Sequence, residues 1–202
     1  TTYFRDEAPR TESGGISHMG TVFPDTPTLW LDSLFMVGVT LGRWAELTDD
    51  DALLAEVVAQ GGVFAAELQG PEGWFTHATG WVIDQTPGLY WARGNGWVVA
   101  ALHDLLRIQR TRGLTPDPAL IAALDALSAA VVTSQDPATG LWWNLPSHPG
   151  DLYLESSASM LFAYGLATGW RYGFRGDEVL PVIRAAIAGL ETAALRRDSQ
   201  DR

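Results

Sequence analysis

Apolar residues along this chain fall into two kinds of run that alternate. Leu29 to Leu47, Gly96 to Arg110 and Ala158 to Phe174 carry apolar or small residues nearly all round, the pattern of helices buried on most faces. Gly38, Gly42, Gly165 and Gly169 lower helix propensity there, and close packing of neighbouring helices is the expected compensation. The intervening runs are striped. In Asp51 to Leu68, the residues Leu53, Leu54, Val57, Val58, Phe64 and Leu68 fall on one side, and Thr48 with Asp51 is expected to form a capping box. Pro116 and Pro118 suit the first turn before a second striped helix at Leu120 to Val132. Asp177 is expected to cap a third, with Pro181 in its first turn.

The pattern repeats. The all-round apolar helices open at Trp30-Leu31-Asp32, Trp91-Ala92-Arg93 and Tyr153-Leu154-Glu155, each an aromatic residue, a spacer and a charge. Trp91 lies 61 residues after Trp30, and Tyr153 lies 62 after Trp91. The preceding loops match too: Gly14 to His18, Gly73 to His77, and Gly140 through His148 each supply Gly, bulky residues and a His. Buried inner helices alternating with amphipathic outer ones describe an all-α fold, an α/α toroid, here with about three helical hairpins of the ring. The 202 residues read as a single domain of this kind, incomplete at both ends, and the opening Thr1 suggests a processed, trimmed or partial chain. In such a ring the inner-helix starts converge on one end, where Asp32, Arg93, Glu155 and the loop aromatics gather.

Composition narrows the partners. A formal net charge of -11 argues against a nucleic-acid surface, and an anionic ligand needs a local cationic exception. No apolar run approaches the roughly 20 residues of a membrane span, so a soluble chain is expected, with the cytoplasm favoured. The absence of Cys excludes disulfides and thiolate metal sites. No His pair has metal-motif spacing, and GxGxxG, P-loop and GxSxG signatures are missing, so neither metal nor cofactor is expected.

Several residues carry candidate chemistry. Asp32, inside Leu29-Trp30-Leu31-Asp32-Ser33-Leu34-Phe35-Met36, is either a helix-start charge favoured by the macrodipole or a general acid whose apolar neighbours favour its protonated form. Arg93, in Trp91-Ala92-Arg93-Gly94-Asn95-Gly96-Trp97, opposes the helix dipole. It needs either a carboxylate partner, Glu155 or Asp84, or a ligand carboxylate held by its fork, with Trp91 and Trp97 offering faces for sugar rings. His77 is the strongest loop histidine, ahead of His18 and His148. His103, inside an apolar helix, reads as a hydrogen-bonded structural residue. Glu155 is a second site carboxylate or the partner of Arg93, and the serines after it are candidates to cap their helix.

The blocks Gly14 to His18, Leu29 to Met36, Gly73 to His77, Trp91 to Trp97 and Tyr153 to Tyr164 resemble, in order, the unsaturated glucuronyl and rhamnogalacturonyl hydrolases of glycoside hydrolase families 88 and 105, closest to family 105. The resemblance implies a six-hairpin toroid acting on oligosaccharides that begin with a Δ4,5-unsaturated uronic acid. It matches Asp32 to the acid/base carboxylate, and His77, Trp91, Arg93 and Trp97 to substrate-contacting positions. Met19 stands where the rhamnogalacturonyl branch implies a Lys, and the family's earlier hairpins, with a second site Asp, have no counterpart here. An open half-ring exposes apolar surface, so self-association is a further expectation. Two other readings stay open: an α/α-toroid glycosidase using Asp32 and Glu155, and a non-catalytic carbohydrate-binding or scaffold fragment.

Overall fold

The computed structural model describes residues 2–18, 20–22, 25–79 and 88–194. Met19 and Asp84 lie outside them. Among the described residues six α-helices follow in order: α1 (Leu31–Thr48), α2 (Asp51–Leu68), α3 (Ala92–Thr111), α4 (Pro118–Thr133), α5 (Ser156–Arg171) and α6 (Val179–Gly189), the last running into a π-helical turn at Leu190–Ala194. Among the described residues there are no strands, only isolated bridges between loops and helix starts. No helix among them is long and apolar enough to cross a membrane.

The odd-numbered helices are the inner ones. Helix α3 packs between α1 and α5, while α2, α4 and α6 each lie against their own hairpin partner. Small residues set this spacing. A Cβ at Gly165 would stand 2.4 Å from Val99 Cγ1, and one at Gly42 would stand 2.8 Å from Leu105 Cδ2. The expected all-round burial holds for α3 but not for its neighbours. Met36, Trp44 and Leu47 of α1, and Met160, Tyr164 and Trp170 of α5, are exposed, because each flanking helix has an inner neighbour on one side only.

Away from the loop end, the inner helices are tied by a polar cluster. Buried Asp104 accepts from Arg43 Nε and Arg107 Nε, both at 2.8 Å, and Arg107 also forks onto Glu46 at 2.7 and 2.8 Å. Arg43 reaches Tyr164 Oη at 3.1 Å, so α1, α3 and α5 share one network. His103 takes the structural role expected of it. It is fully buried, its Nδ1 bonds the Val99 carbonyl at 2.9 Å, and Arg175 Nε donates to its Nε2 at 3.2 Å.

Three expected caps are replaced. Thr48 closes α1 instead, its hydroxyl donating to the Trp44 carbonyl. Asp50 caps α2 by accepting from Leu53 N–H, after Asp49 turns the chain at φ 54°. The Asp177 carboxylate accepts from Trp170 Nε1, leaving its backbone carbonyl to receive Leu180 N–H. The serines of α5 are drawn elsewhere: Ser157 donates to Glu155 Oε1, and Ser159 donates to the Glu155 carbonyl. For α4, Pro118 does occupy the first turn, and Asp117 caps it through the N–H groups of Ala119 and Leu120.

Backbone hydrogen bonds define the repeat more sharply than residue types do. Leu31 N–H bonds the His77 carbonyl, and Ala92 N–H bonds the Asn144 carbonyl. Helices α1 and α3 therefore each start on the loop of the following hairpin. That loop turns at a glycine with φ of 87° at Gly73 and 72° at Gly140, where a Cβ would strike the Ala126 or Ala185 carbonyl of the next outer helix. Gln69 and Gln135 complete the join. Each donates to its loop glycine's carbonyl and to the next outer helix, at Ala123 and Val182. The residues preceding α1, α3 and α5 are Trp30, Trp91 and Glu155, so the third copy is shifted by two residues from the register that Tyr153-Leu154-Glu155 suggested.

Candidate active site

Asp32 enters in the first turn of α1, where the N-terminal dipole favours its charge. Facing it is the loop before α3, which delivers His77. His77 Nε2 lies 3.7 Å from Asp32 Oδ2, both side chains being mostly buried at 16% and 17% exposure. That is longer than a hydrogen bond. Asp32 Oδ2 and His77 Nδ1 are both buried without a hydrogen-bond partner from the protein. Leaving such atoms unpaired costs about 1–3 kcal/mol each; the unpaired ring nitrogen lies on the edge towards Gly94, while the Nε2 edge faces the unpaired Asp32 oxygen. Burial pushes the His77 imidazole below its ordinary range, opposed by the Asp32 charge and reinforced by His18. The ring is therefore neutral near pH 7.

An aromatic arc surrounds this pair. His18 stacks on Trp30 at 4.4 Å and 6°, its Nδ1 hydrogen-bonded to Ser33 Oγ at 2.8 Å. Trp30 meets the His77 ring edge-on at 5.4 Å, His77 meets Trp91 at 4.9 Å, and Trp91 meets Trp97 at 5.3 Å. Gly94 makes room for the His77 ring over the first turn of α3. A Cβ there would stand 3.4 Å from His77 Nδ1 and 3.1 Å from Leu31 Cδ1.

Arg93 lies over the Trp91 ring, its guanidinium carbon 4.7 Å from the centroid, and its Nε is 3.1 Å from Glu155 Oε1. The Nε–H does not point along that line, so the contact is an ion pair and not a hydrogen bond. Glu155 is 5% exposed while Arg93 is 40% exposed, which leaves the rest of the fork open to solvent. The other contacts of Glu155 come from Asn144 Nδ2 at 2.7 Å and Ser157 Oγ at 2.9 Å. Its carboxylate is thus consumed within the protein, in keeping with the ion-pair reading and not with direct contact to a ligand.

The structure brings Asp32, His77, Trp91, Arg93 and Trp97 together and places His18 one ring further out. It leaves His148 exposed, bonded to Ser147. Asn144, which sequence reasoning missed, holds the loop position that His77 holds in the hairpin before. The signal for it was the two-residue step before a buried helix start, which becomes visible only once Trp142 is aligned with Phe75. Among the described residues no cluster of three His, Asp or Glu side chains is arranged to hold a metal ion.

An arc of paired helices with a carboxylate, an imidazole and packed indoles at its loop end is the architecture of the α/α-toroid glycoside hydrolases. The chain belongs to glycosyl hydrolase family 88, whose sequence pattern matches residues 1–201. A 24.9 kDa protein of the picA locus of Rhizobium radiobacter is 33% identical over 180 residues, covering 81% of this chain and 72% of that protein. A solved structure from Klebsiella pneumoniae, described as a possible member of GH105, superposes with a TM-score of 0.81 at 30% identity, over 94% of this chain and 50% of that one. The unsaturated glucuronyl hydrolase of Bacillus sp. GL1 shares the fold, with a TM-score of 0.66 at 17% identity over 86% of this chain and 49% of that one. The chain spans about half the length of these solved structures.

Proposed function

We propose that this chain carries the acid/base half of a glycoside hydrolase that acts on oligosaccharides ending in a Δ4,5-unsaturated uronic acid. The observation that carries the reading is the unpaired Asp32 carboxylate oxygen facing the His77 imidazole, 3.7 Å from its Nε2, inside a tryptophan-lined site of a family 88 chain. In this reading the chemistry is hydration of an enol ether. Asp32 delivers a proton to C4 of the C4=C5 bond, and the positive charge spreads over C5 and the ring oxygen. Water adds at C5 as the Asp32 carboxylate takes up one of its protons. The resulting hemiketal opens, and the remaining sugar leaves from C1. No second carboxylate flanking the acetal carbon is required, unlike in retaining or inverting glycosidases. The engagement of Glu155 by Arg93, Asn144 and Ser157 favours this over a pairing of Asp32 with Glu155.

The other residues orient the sugar. The open part of the Arg93 guanidinium receives the uronate carboxylate, a local cationic exception in a chain of net charge -11. Trp91 and Trp97 present flat faces to the ring, neutral His77 bonds a hydroxyl, and His18 lines the approach for the aglycone. The test follows the loss of ultraviolet absorbance from an unsaturated uronyl disaccharide, using the parent and Asp32→Asn. Loss with the parent alone is expected. Turnover unaffected by Asp32→Asn, or turnover of a saturated glycoside instead, overturns the mechanism. Binding without turnover in both marks a non-catalytic carbohydrate-binding chain.

A further inference from the structure

Asn95 sits in the first turn of α3 with its side chain fully buried. Its Oδ1 accepts from Phe75 N–H at 2.8 Å, and its Nδ2 donates to the Phe75 carbonyl at 3.0 Å and the Trp91 carbonyl at 3.1 Å. One carboxamide therefore holds both backbone groups of a single loop residue, as one rung of an antiparallel ladder does. Two residues on, the His77 carbonyl accepts from Leu31 N–H at 3.0 Å. The imidazole is carried on a short span fixed at Phe75 by α3 and at His77 by α1.

The repeat supplies an internal comparison. In the third hairpin Ser159 occupies the place of Asn95. Its Oγ accepts from Trp142 N–H at 3.1 Å and donates to the Glu155 carbonyl at 2.8 Å, but it holds only one backbone group of the loop. In the first hairpin the corresponding Ile16 N–H is held from α2 by Gln60 at 2.9 Å. The two-pronged clamp belongs to the hairpin whose loop sets an imidazole beside Asp32.

We propose that Asn95 is a positioning residue that fixes the His77 imidazole against the Asp32 carboxylate. It does so through the loop backbone, without touching a ligand. Its effect on turnover rests on the function proposed above, whereas its hold on the imidazole does not.

The experiment measures both in the full chain, comparing parent, Asn95→Ala and Asn95→Ser. Histidine ring resonances are titrated by NMR, and kcat and KM are measured on the unsaturated disaccharide. His77 titrates low in the parent because it is buried, an effect that His18 reinforces and the Asp32 charge opposes. Freed by Asn95→Ala, the loop admits solvent, and the His77 midpoint rises towards the ordinary value of roughly 6.5. The His103 resonance, deep in α3, stays where it was. kcat falls by up to about a hundredfold, as a misplacement of about an ångström in a group that orients the substrate can cost, with KM changed less. Asn95→Ser keeps the two bonds that Ser159 makes and falls between parent and Ala on both readouts.

A folded Asn95→Ala with the parent's His77 midpoint overturns the proposal. So does a fall in kcat with that midpoint unmoved. If the Ala variant does not fold, the Ser variant decides in the same way. An inactive parent whose His77 still shifts in the variants sinks the proposed function and leaves the positioning role standing.

Discussion

Lowering the pH should destabilise the protein well before its carboxylates titrate, because His103 is buried in the neutral form. Burial, the neighbouring Arg175 charge and, against them, the bond to the Val99 carbonyl push its imidazole down to about 3. In the unfolded chain the group returns to roughly 6.5. A histidine depressed on folding contributes stability that is present above the unfolded value and is lost as pH falls towards the folded one. The full difference corresponds to about 5 kcal/mol, and the part already lost at pH 5 is about 2 kcal/mol. His77, also depressed by burial, adds to the loss in the same direction. Glu46 and Asp50 are held low by Arg107 and by the Leu53 N–H respectively, and join only below about pH 4.5, so the window from 6.5 to 5 belongs to histidine. The assay is denaturant unfolding followed by tryptophan fluorescence between pH 8 and 5, for the parent and His103→Gln. Glutamine is chargeless and can still donate to Val99 and accept from Arg175. The parent should lose about 2 kcal/mol or more across the window, and the variant only the share due to His77. Equal slopes in the two proteins would refute the reasoning.

Other outcomes follow from geometry already given. Asp104→Ala removes the carboxylate shared by Arg43 and Arg107 and should cost about 1.5–3 kcal/mol, since Arg107 keeps Glu46 and Arg43 can turn to solvent, read as a fall in the denaturation midpoint. Gly165→Ala drives a methyl to within 2.4 Å of Val99 Cγ1 and 2.9 Å of the Val99 carbonyl carbon, so about 1–3 kcal/mol is lost. A neutral result would mean that α3 and α5 can separate freely. Arg93→Lys keeps the charge but not the fork, and KM for an unsaturated uronide should rise roughly tenfold while kcat changes less. An unchanged KM removes Arg93 from carboxylate recognition.

Much of this architecture is legible in the sequence because burial imposes its period directly. The alternation of apolar and striped runs gives six helices in the right order, and the glycines of α1 and α5 mark close helix contacts. The gathering of Asp32, His77, Trp91, Arg93 and Trp97 at one end likewise follows from their places at the inner-helix starts and the loop before α3. Caps are less legible, because Thr48, Asp177 and the serines of α5 each have a nearby competitor for their hydrogen bonds. The third repeat is misread for a different reason. Tyr153-Leu154-Glu155 imitates the aromatic-spacer-charge string, but register is set by which carbonyl each helix start meets, and the connecting loops differ in length. Exposed apolar faces on α1 and α5 follow from the arrangement of neighbours, which no single helix records.

Gln69 and Gln135 tie each loop to the outer helix that comes after it, so the unit that holds together mechanically begins at the glutamine that follows the previous outer helix, ahead of the loop glycine. Exchange of hairpins between related chains is then safest with junctions inside an outer helix. A junction at the glycine turn, where sequences look easiest to cut, would part Gly73 from Ala126 and Gly140 from Ala185. A chimaera joined there takes the glutamine and glycine of the turn from one parent and the outer helix they must fit from the other.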